Sequence, residues 1–317
     1  METRDSVVAL EEYEARWRAA LAPRTGDVRQ ELTLEAAEYL RIPIEEARRR
    51  VDGSAVDFPN EWKRMVTDPS DPEQLLRFYN ESQTELFEQI AWHASETIHH
   101  RALVCSDLAV QLPGRDFLDY GSGIGSNALV FGLAGFRVTL ADIADPLRNF
   151  ARWRCERRGI PVRTVDLKRE SLDRDSCDVI TCFDVLEHVP DPQAAVEQIR
   201  DAIRPGGVFF VYAPFGLDPD RPMHIVHDDR VMRRIRSLGF ARKYAWEDAF
   251  PPHLQHPRPP TPYERVSRSA LGNSAYFVRD VWLNGPLTDS IVGATRALAG
   301  RTKKNDASRH RHDRVRV

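Results

Sequence analysis

Cysteine is scarce: 317 residues contain four, Cys105, Cys155, Cys177 and Cys182. They show no metal-ligand spacing, so neither a disulfide framework nor a zinc module is expected; reduced core thiols in a cytoplasmic protein are. No apolar run approaches the roughly 20 residues needed to cross a bilayer. The first residues, Met1-Glu2-Thr3-Arg4-Asp5, lack the basic-then-apolar order of a secretory signal. A formal net charge of −3 gives no general pull toward nucleic acid. There is no internal repeat. What is present is a hydrophobic fraction of 42%, enough for a sizeable core, with a mean hydropathy of −0.48. The length suits one large domain, or a main domain with an appendage.

The most informative segment is Phe117-Leu118-Asp119-Tyr120-Gly121-Ser122-Gly123-Ile124-Gly125. An apolar strand runs into an acid, then into glycines at alternate positions, then into the helix-like Ser126-Asn127-Ala128-Leu129-Val130. Glycine permits the positive φ angles of a tight strand-to-helix turn and the close approach of a ligand to the backbone. A dinucleotide fingerprint would need glycine at Ser126, and no Gly-Lys-Ser/Thr follows to make a P-loop. Asp119 would repel a pyrophosphate but accept from an ammonium or sulfonium ligand. The loop therefore suits a cationic ligand.

The spacing Asp119-x-Gly121-x-Gly123-x-Gly125 resembles the first motif of the class I S-adenosylmethionine-dependent methyltransferases. Further elements of that family follow in order. Residues 136–142 read as a second strand ending in Asp142, which lies 142 − 119 = 23 residues after Asp119, room for a helix and a return strand. Residues 162–167 read as a third strand with Asp166, and 177–184 as a fourth with Phe183 and Asp184. Ile203-Arg204-Pro205-Gly206-Gly207 resembles the family's usual lead-in to strand five. The resemblance implies an α/β fold: a seven-stranded, mostly parallel, doubly wound sheet with an N-terminal helical cap. It implies S-adenosyl-L-methionine as cofactor, held by Asp119, Gly121, Gly123 and Gly125, with Asp142 and Ile143 at the ribose, Asp166 and Leu167 at the adenine, and Phe183 and Asp184 at the donor's edge.

Around this core the expected organisation is a helical, substrate-side region at 1–98, a core at 99–285, and a final helix with a basic, disordered tail at 286–317. Residues 7–21 and 32–51 are amphipathic, the second interrupted at Pro43. Asp71 and Pro72 start a helix whose face is marked by Leu75, Tyr79, Leu86, Ile90 and Ala94. Residues 239–246 and 275–282 read as the last two strands, and the proline-dense 251–262 between them as a loop.

The acceptor side is less legible. Methyl transfer needs the acceptor aimed at the methyl carbon and, for a hydroxyl, help in losing its proton. His224 is the candidate base or substrate contact, with His227 behind it, and Tyr79 the candidate on a lid-like helix that also carries Trp92 and His93. Asp184, Glu187 and His188, with His224, loosely resemble metal-binding arrangements of some methyltransferases. An ordinary helix start meets the same spacing, so no metal is expected. Residues 32–43 resemble the first half of a helix-turn-helix, but Glu45 and Glu46 would stand at the base-reading end and repel DNA. No Asn/Asp-Pro-Pro-Tyr/Phe motif follows strand four, which counts against adenine methylation of DNA. The expected function is methylation of a small molecule at O, N or C, without membrane or nucleic-acid partners. A macromolecular methyltransferase using the N-terminal helices, and a non-catalytic cofactor-binding or regulatory protein, are the alternatives.

Overall fold

The computed structural model of the protein describes residues 4–95, 97–215, 221–225, 231, 235–243, 246, 249–251, 254 and 259–266. Contacts divide the chain after Arg265, so the N-terminal helices and the sheet share one unit, Met1–Arg265.

The helices α1 (Arg4–Leu21), α2 (Val28–Leu40), α3 (Ile44–Met65), α4 (Pro72–Glu81) and α5 (Glu85–Ser95) come first. The break at Pro43 is as expected: Arg41 closes α2 in the left-handed region at φ 57°, and Pro43 precedes α3. Asp71 caps α4 by accepting from the Glu73 amide, with Pro72 in the first turn. The helix expected to run on through Ala94 is split instead. Buried Glu61 of α3 accepts from the Ser82 hydroxyl at 2.7 Å, the Thr84 hydroxyl at 2.5 Å and the Gln83 amide at 3.1 Å, which fixes a turn there.

After α6 (Arg101–Ala109), the chain alternates β1 (Asp116–Tyr120), α7 (Ser126–Leu133), β2 (Arg137–Asp142), α8 (Asp145–Arg157), β3 (Val162–Asp166) and β4 (Cys177–Phe183). Then follow α9 (Pro192–Ala202), β5 (Ile203–Tyr212), β6 (Phe240–Arg242) and β7 (Thr261–Arg265). The seven strands lie in the order β3-β2-β1-β4-β5-β7-β6. β1 to β5 run parallel, and β7 runs antiparallel to both β5 and β6. This is the seven-stranded, mostly parallel α/β sheet the sequence implied. The strand expected at 275–282 falls outside the described residues, and the seventh strand lies earlier, at Thr261–Arg265, taking up only the last two residues of the stretch 251–262 read as a loop. Pro262 is tolerated there because its carbonyl accepts from the Lys243 amide, while the Lys243 carbonyl, which a residue-262 N–H would have met, accepts from Trp246.

Alternate strand residues face opposite layers, as the two-residue period requires. Phe117, Leu140, Val179 and Phe210 pack on one side with Leu129 and Phe131 of α7, Phe150 of α8, and Trp17, Leu21 and Leu32 of the N-terminal helices. Leu118, Ile180, Cys182, Phe209 and Val211 pack on the other with Val196 and Ile199 of α9. The N-terminal helices are therefore part of the main core. All four cysteines are free and buried. No helix among the described residues is long and apolar enough to cross a membrane.

Candidate active site

The parallel strands aim their carboxyl ends at one edge, where the loop between β1 and α7 turns back over β2. Gly121, Gly123 and Gly125 take φ of 72°, 48° and 77°, a region costly for any residue with a Cβ. The Gly121 and Ser122 amides both donate to the Ala141 carbonyl, the Gly123 amide donates to Asp142 Oδ2 at 2.8 Å, and the Ile124 amide donates to Gln89 Oε1 of α5 at 3.1 Å. A Cβ at these glycines would meet protein on every side: Val185 at 2.3 Å from position 121, Gln89 at 2.4 Å from 123 and Ala151 at 2.8 Å from 125. The glycines thus let β4, α5 and α8 close around the loop, a packing role beyond ligand approach.

Asp119, only 1% exposed, accepts from Thr181 at 2.7 Å and Asn127 at 3.2 Å through Oδ1, while Oδ2 is buried without a partner among the described residues. Burial pushes its carboxyl up to about 7, against the pull of the two hydrogen bonds. An orphaned carboxylate oxygen beneath a glycine loop is the feature an ammonium group satisfies. The loop and Asp119 therefore fit a donor carrying ammonium and sulfonium charge. Asp142 accepts from the Gly123 and Ala144 amides at 2.8 Å each, and burial raises its carboxyl in spite of them. Asp166 is its register partner on β3. It accepts from the Lys168 amide at 3.0 Å, with the Lys168 ammonium 3.3 Å away. Ile143 and Leu167, both half-buried, follow these two acids. Lys168 also donates to the Ile143 carbonyl at 2.6 Å and to Asn80 of α4 at 3.1 Å, tying the cap to this edge.

Beyond β4, Phe183 is half-buried and Asp184 is held at a positive φ of 54°. Burial pushes Asp184 up to about 6, opposed by Arg101 and Arg221. A three-residue 3-10 turn, Leu186–His188, follows. His188 and His224 meet with ring centroids 5.0 Å apart. His227 lies outside the described residues. Tyr79 packs edge-on against Trp62 and Phe78. Burial, reinforced by Glu85, Asp142, Glu187 and Glu88, holds its phenol well above the usual range. The Tyr79 phenol therefore keeps its proton at neutral pH. Trp92 carries the Arg221 guanidinium 4.1 Å above its ring, while half-buried His93 stacks on His99 at 4.3 Å.

The sequence reading missed Glu85, Glu88, Gln89 and Arg221. Glu88 is pushed by burial up to about 7, with Arg221 opposing. Only the i, i+3, i+4 spacing of Glu85, Glu88 and Gln89 on α5 signalled a shared polar face, and that spacing is common on solvated helices. The acids of α2 are tied to arginines of the fold. Glu35 pairs with Arg154 and Arg158 of the α8 segment, Glu31 with Arg24, and Glu38 with Arg24 and Arg157. Arg154 in turn donates to the Ile124 carbonyl in the glycine loop at 2.5 Å. A cleft of about 480 Å³ opens elsewhere, at the amino-terminal halves of β1, β2 and β3 beside Leu118, Val138 and Leu172, and does not border this edge.

A family model described as a methyltransferase domain matches residues 83–263, more than half of the chain. Ubiquinone biosynthesis O-methyltransferases of Bordetella avium (strain 197N) and Chromobacterium violaceum are 36% and 33% identical to it over 108 residues. Those residues are 33% of this chain and 45% and 47% of theirs. The chain thus spans less than half the length of these curated relatives. Among solved structures, a SAM-dependent methyltransferase of Leishmania major is similar at 17% identity and a TM-score of 0.44, over 64% of this chain and 88% of that one. Phosphoethanolamine N-methyltransferase 2 of Haemonchus contortus, in complex with S-adenosyl-L-methionine, is similar at 18% identity and 0.43, over 52% and 44%. The matched span runs from the turn before α5, through the glycine loop and its acids, to β7, and the chain belongs to the methyltransferase-domain family as a class I, S-adenosylmethionine-dependent member.

Proposed function

We propose that this protein transfers the methyl group of S-adenosylmethionine to a hydroxyl oxygen of a small molecule. The observation that carries the reading is the convergence at one sheet edge of the glycine loop, the orphaned Asp119 oxygen and the acids Asp142, Asp184, Glu85 and Glu88. Cationic donor charge is favoured there. Asp142 takes the ribose and Asp166 the adenine amino group, with Ile143, Leu167 and Phe183 as apolar flanks. In the transfer an oxygen lone pair forms the new bond to the methyl carbon, the C–S pair returns to sulfur, and the hydroxyl proton leaves. The side chains do little covalent work; holding the acceptor in line supplies most of the acceleration. We assign the acceptor side to α4 and α5 with Tyr79 and Trp92, to Asp184 after β4, and to the segment carrying His224. Oxygen is chosen over nitrogen or carbon because the curated relatives named above are O-methyltransferases. Use of α2 and α3 for nucleic acid is disfavoured, since the α2 acids are committed to arginines of the fold.

The test is formation of S-adenosylhomocysteine by the purified protein, using methyl-labelled donor against small phenols and alcohols, amines, RNA, DNA and protein. Label appearing on an oxygen of a small acceptor supports the reading. Label on nucleic acid or protein alone, or no donor binding by calorimetry at millimolar concentration, refutes it.

A further inference from the structure

We propose that Glu187, His188 and His224 form a binding site for one divalent transition-metal cation beside the end of β4. One donor atom from each of the three lies within 4.8 Å of the other two. Proximity alone would carry little weight; the state of Glu187 carries more. It is fully buried, and neither carboxylate oxygen has a hydrogen-bond partner among the described residues. Its own backbone N–H favours its charge electrostatically but closes no bond. Buried carboxylates are ordinarily paired, hydrogen-bonded or metal-bound. The helix-capping role that an ordinary helix start would give Glu187 is not taken up, because Leu186–His188 is a short 3-10 turn.

The histidines are prepared in the manner of ligands. His188 Nδ1 lies 3.1 Å from the Met223 carbonyl. A carbonyl only accepts, so Nδ1 carries the proton and Nε2 keeps its lone pair, the arrangement by which an outer partner fixes a ligating imidazole. The Ile225 amide donates to the Glu187 carbonyl at 2.8 Å. The two contacts clip the segment around His224 to the turn. A tetrahedral ion with bonds of about 2.0–2.2 Å spaces its donors roughly 3.5 Å apart, and His224, only half-buried, closes the set by side-chain rotation. Two imidazoles with one carboxylate suit zinc, manganese, iron, cobalt or nickel rather than magnesium or calcium. The competing counter-charge is Arg221, which acts electrostatically on Glu187 and His188; a fixed guanidinium could serve the carboxylate in the ion's place. Binding does not depend on methyl transfer. Use of the ion to lower the pKa of an acceptor hydroxyl rests on the function proposed above.

The full chain is stripped with chelator and titrated with Co²⁺, followed by visible absorption, and with Zn²⁺ by calorimetry. The titrations use a His310→Ala/His312→Ala background, because these histidines alternate with arginines at the end of the sequence and could bind metal themselves. One equivalent should bind with nitrogen-dependent d–d bands, and Glu187→Gln and His224→Ala should each weaken binding at least tenfold. Circular dichroism of the metal-free variants should match the parent. Donor affinity, measured alongside, separates failure of this site from failure of the methyltransferase reading. No saturable binding of either ion would overturn the proposal and leave Arg221 as the counter-charge; so would unchanged binding in both variants.

Discussion

Replacing Glu35 by alanine should destabilise the folded chain by about 3–5 kcal/mol, the usual cost of removing one partner from a buried ion pair. Glu35 Oε2 accepts from Arg154 Nε at 2.8 Å, and Oε1 lies 2.6 Å from Arg158 Nη1. The Arg154 side chain is 0% exposed and that of Arg158 10%. Alanine would leave both guanidiniums without a counter-charge, with Arg154 holding the Ile124 carbonyl and Arg158 the Leu21 carbonyl at 3.0 Å. Glutamine keeps the shape and one acceptor, so about 1.5–3 kcal/mol should be lost. For a domain of this size each kcal/mol lowers Tm by about 2–4 °C, so Glu35→Ala should melt roughly 6–20 °C below the parent. Urea unfolding followed by tryptophan fluorescence should show a lower midpoint with unchanged slope. Because Arg154 also touches the glycine loop, Glu35→Gln should weaken donor binding under conditions where it remains folded. A loss below about 1 kcal/mol for Glu35→Ala, or a second transition at lower slope, would refute the claim that α2 and the sheet form one cooperative unit.

Gly123→Ala should reduce donor affinity more than tenfold by calorimetry. Adding Gln89→Ala should restore only part, since the clash with Gln89 is removed but the 48° φ remains. Asp142→Ala should cost more donor affinity than Asp166→Asn. The first leaves two ribose hydroxyls of the proposed donor pose without an acceptor, each worth about 1–3 kcal/mol, whereas asparagine at 166 can still accept from the adenine amino group; equal losses would refute the ranking. Asp119 holds its proton up to about 7 against a usual 3.8. Stability of the free protein should therefore fall as pH rises from about 4 to 7, where the folded state retains a proton the unfolded chain has released. Affinity for the cationic donor should rise through the same range and level above it, and Asp119→Asn should make both profiles shallower, with Glu88 and Asp184 still titrating in that window. Deleting residues 1–70 should abolish folding, not just methyl transfer, because Trp17, Leu21 and Leu32 share the main apolar core; a stable, donor-binding remnant would show otherwise.

The sequence by itself determined the strand–glycine–helix turn, the acids at the ends of the first three strands and the parallel order of the sheet. The turn rests on local chemistry, glycine's freedom at positive φ, as the helix starts rest on caps such as Asp71; the sheet order and the acids' roles came from the resemblance of the ordered motifs to the methyltransferase family. What residue spacing could not give was set by long-range contacts. The helix across Ser82 was broken by Glu61, 21 residues earlier. The end of the proline-rich stretch, Thr261 and Pro262, entered β7 because β5 and β6 stood on either side to pair with it. Glu35 of α2 was turned inward to Arg154, 119 residues away. The gathering of Glu187, His188 and His224, and of Gln89 with the glycine loop, was likewise decided by tertiary structure. A side chain's spacing fixes which face of its own element it shares, and only the packing of elements fixes what that face meets.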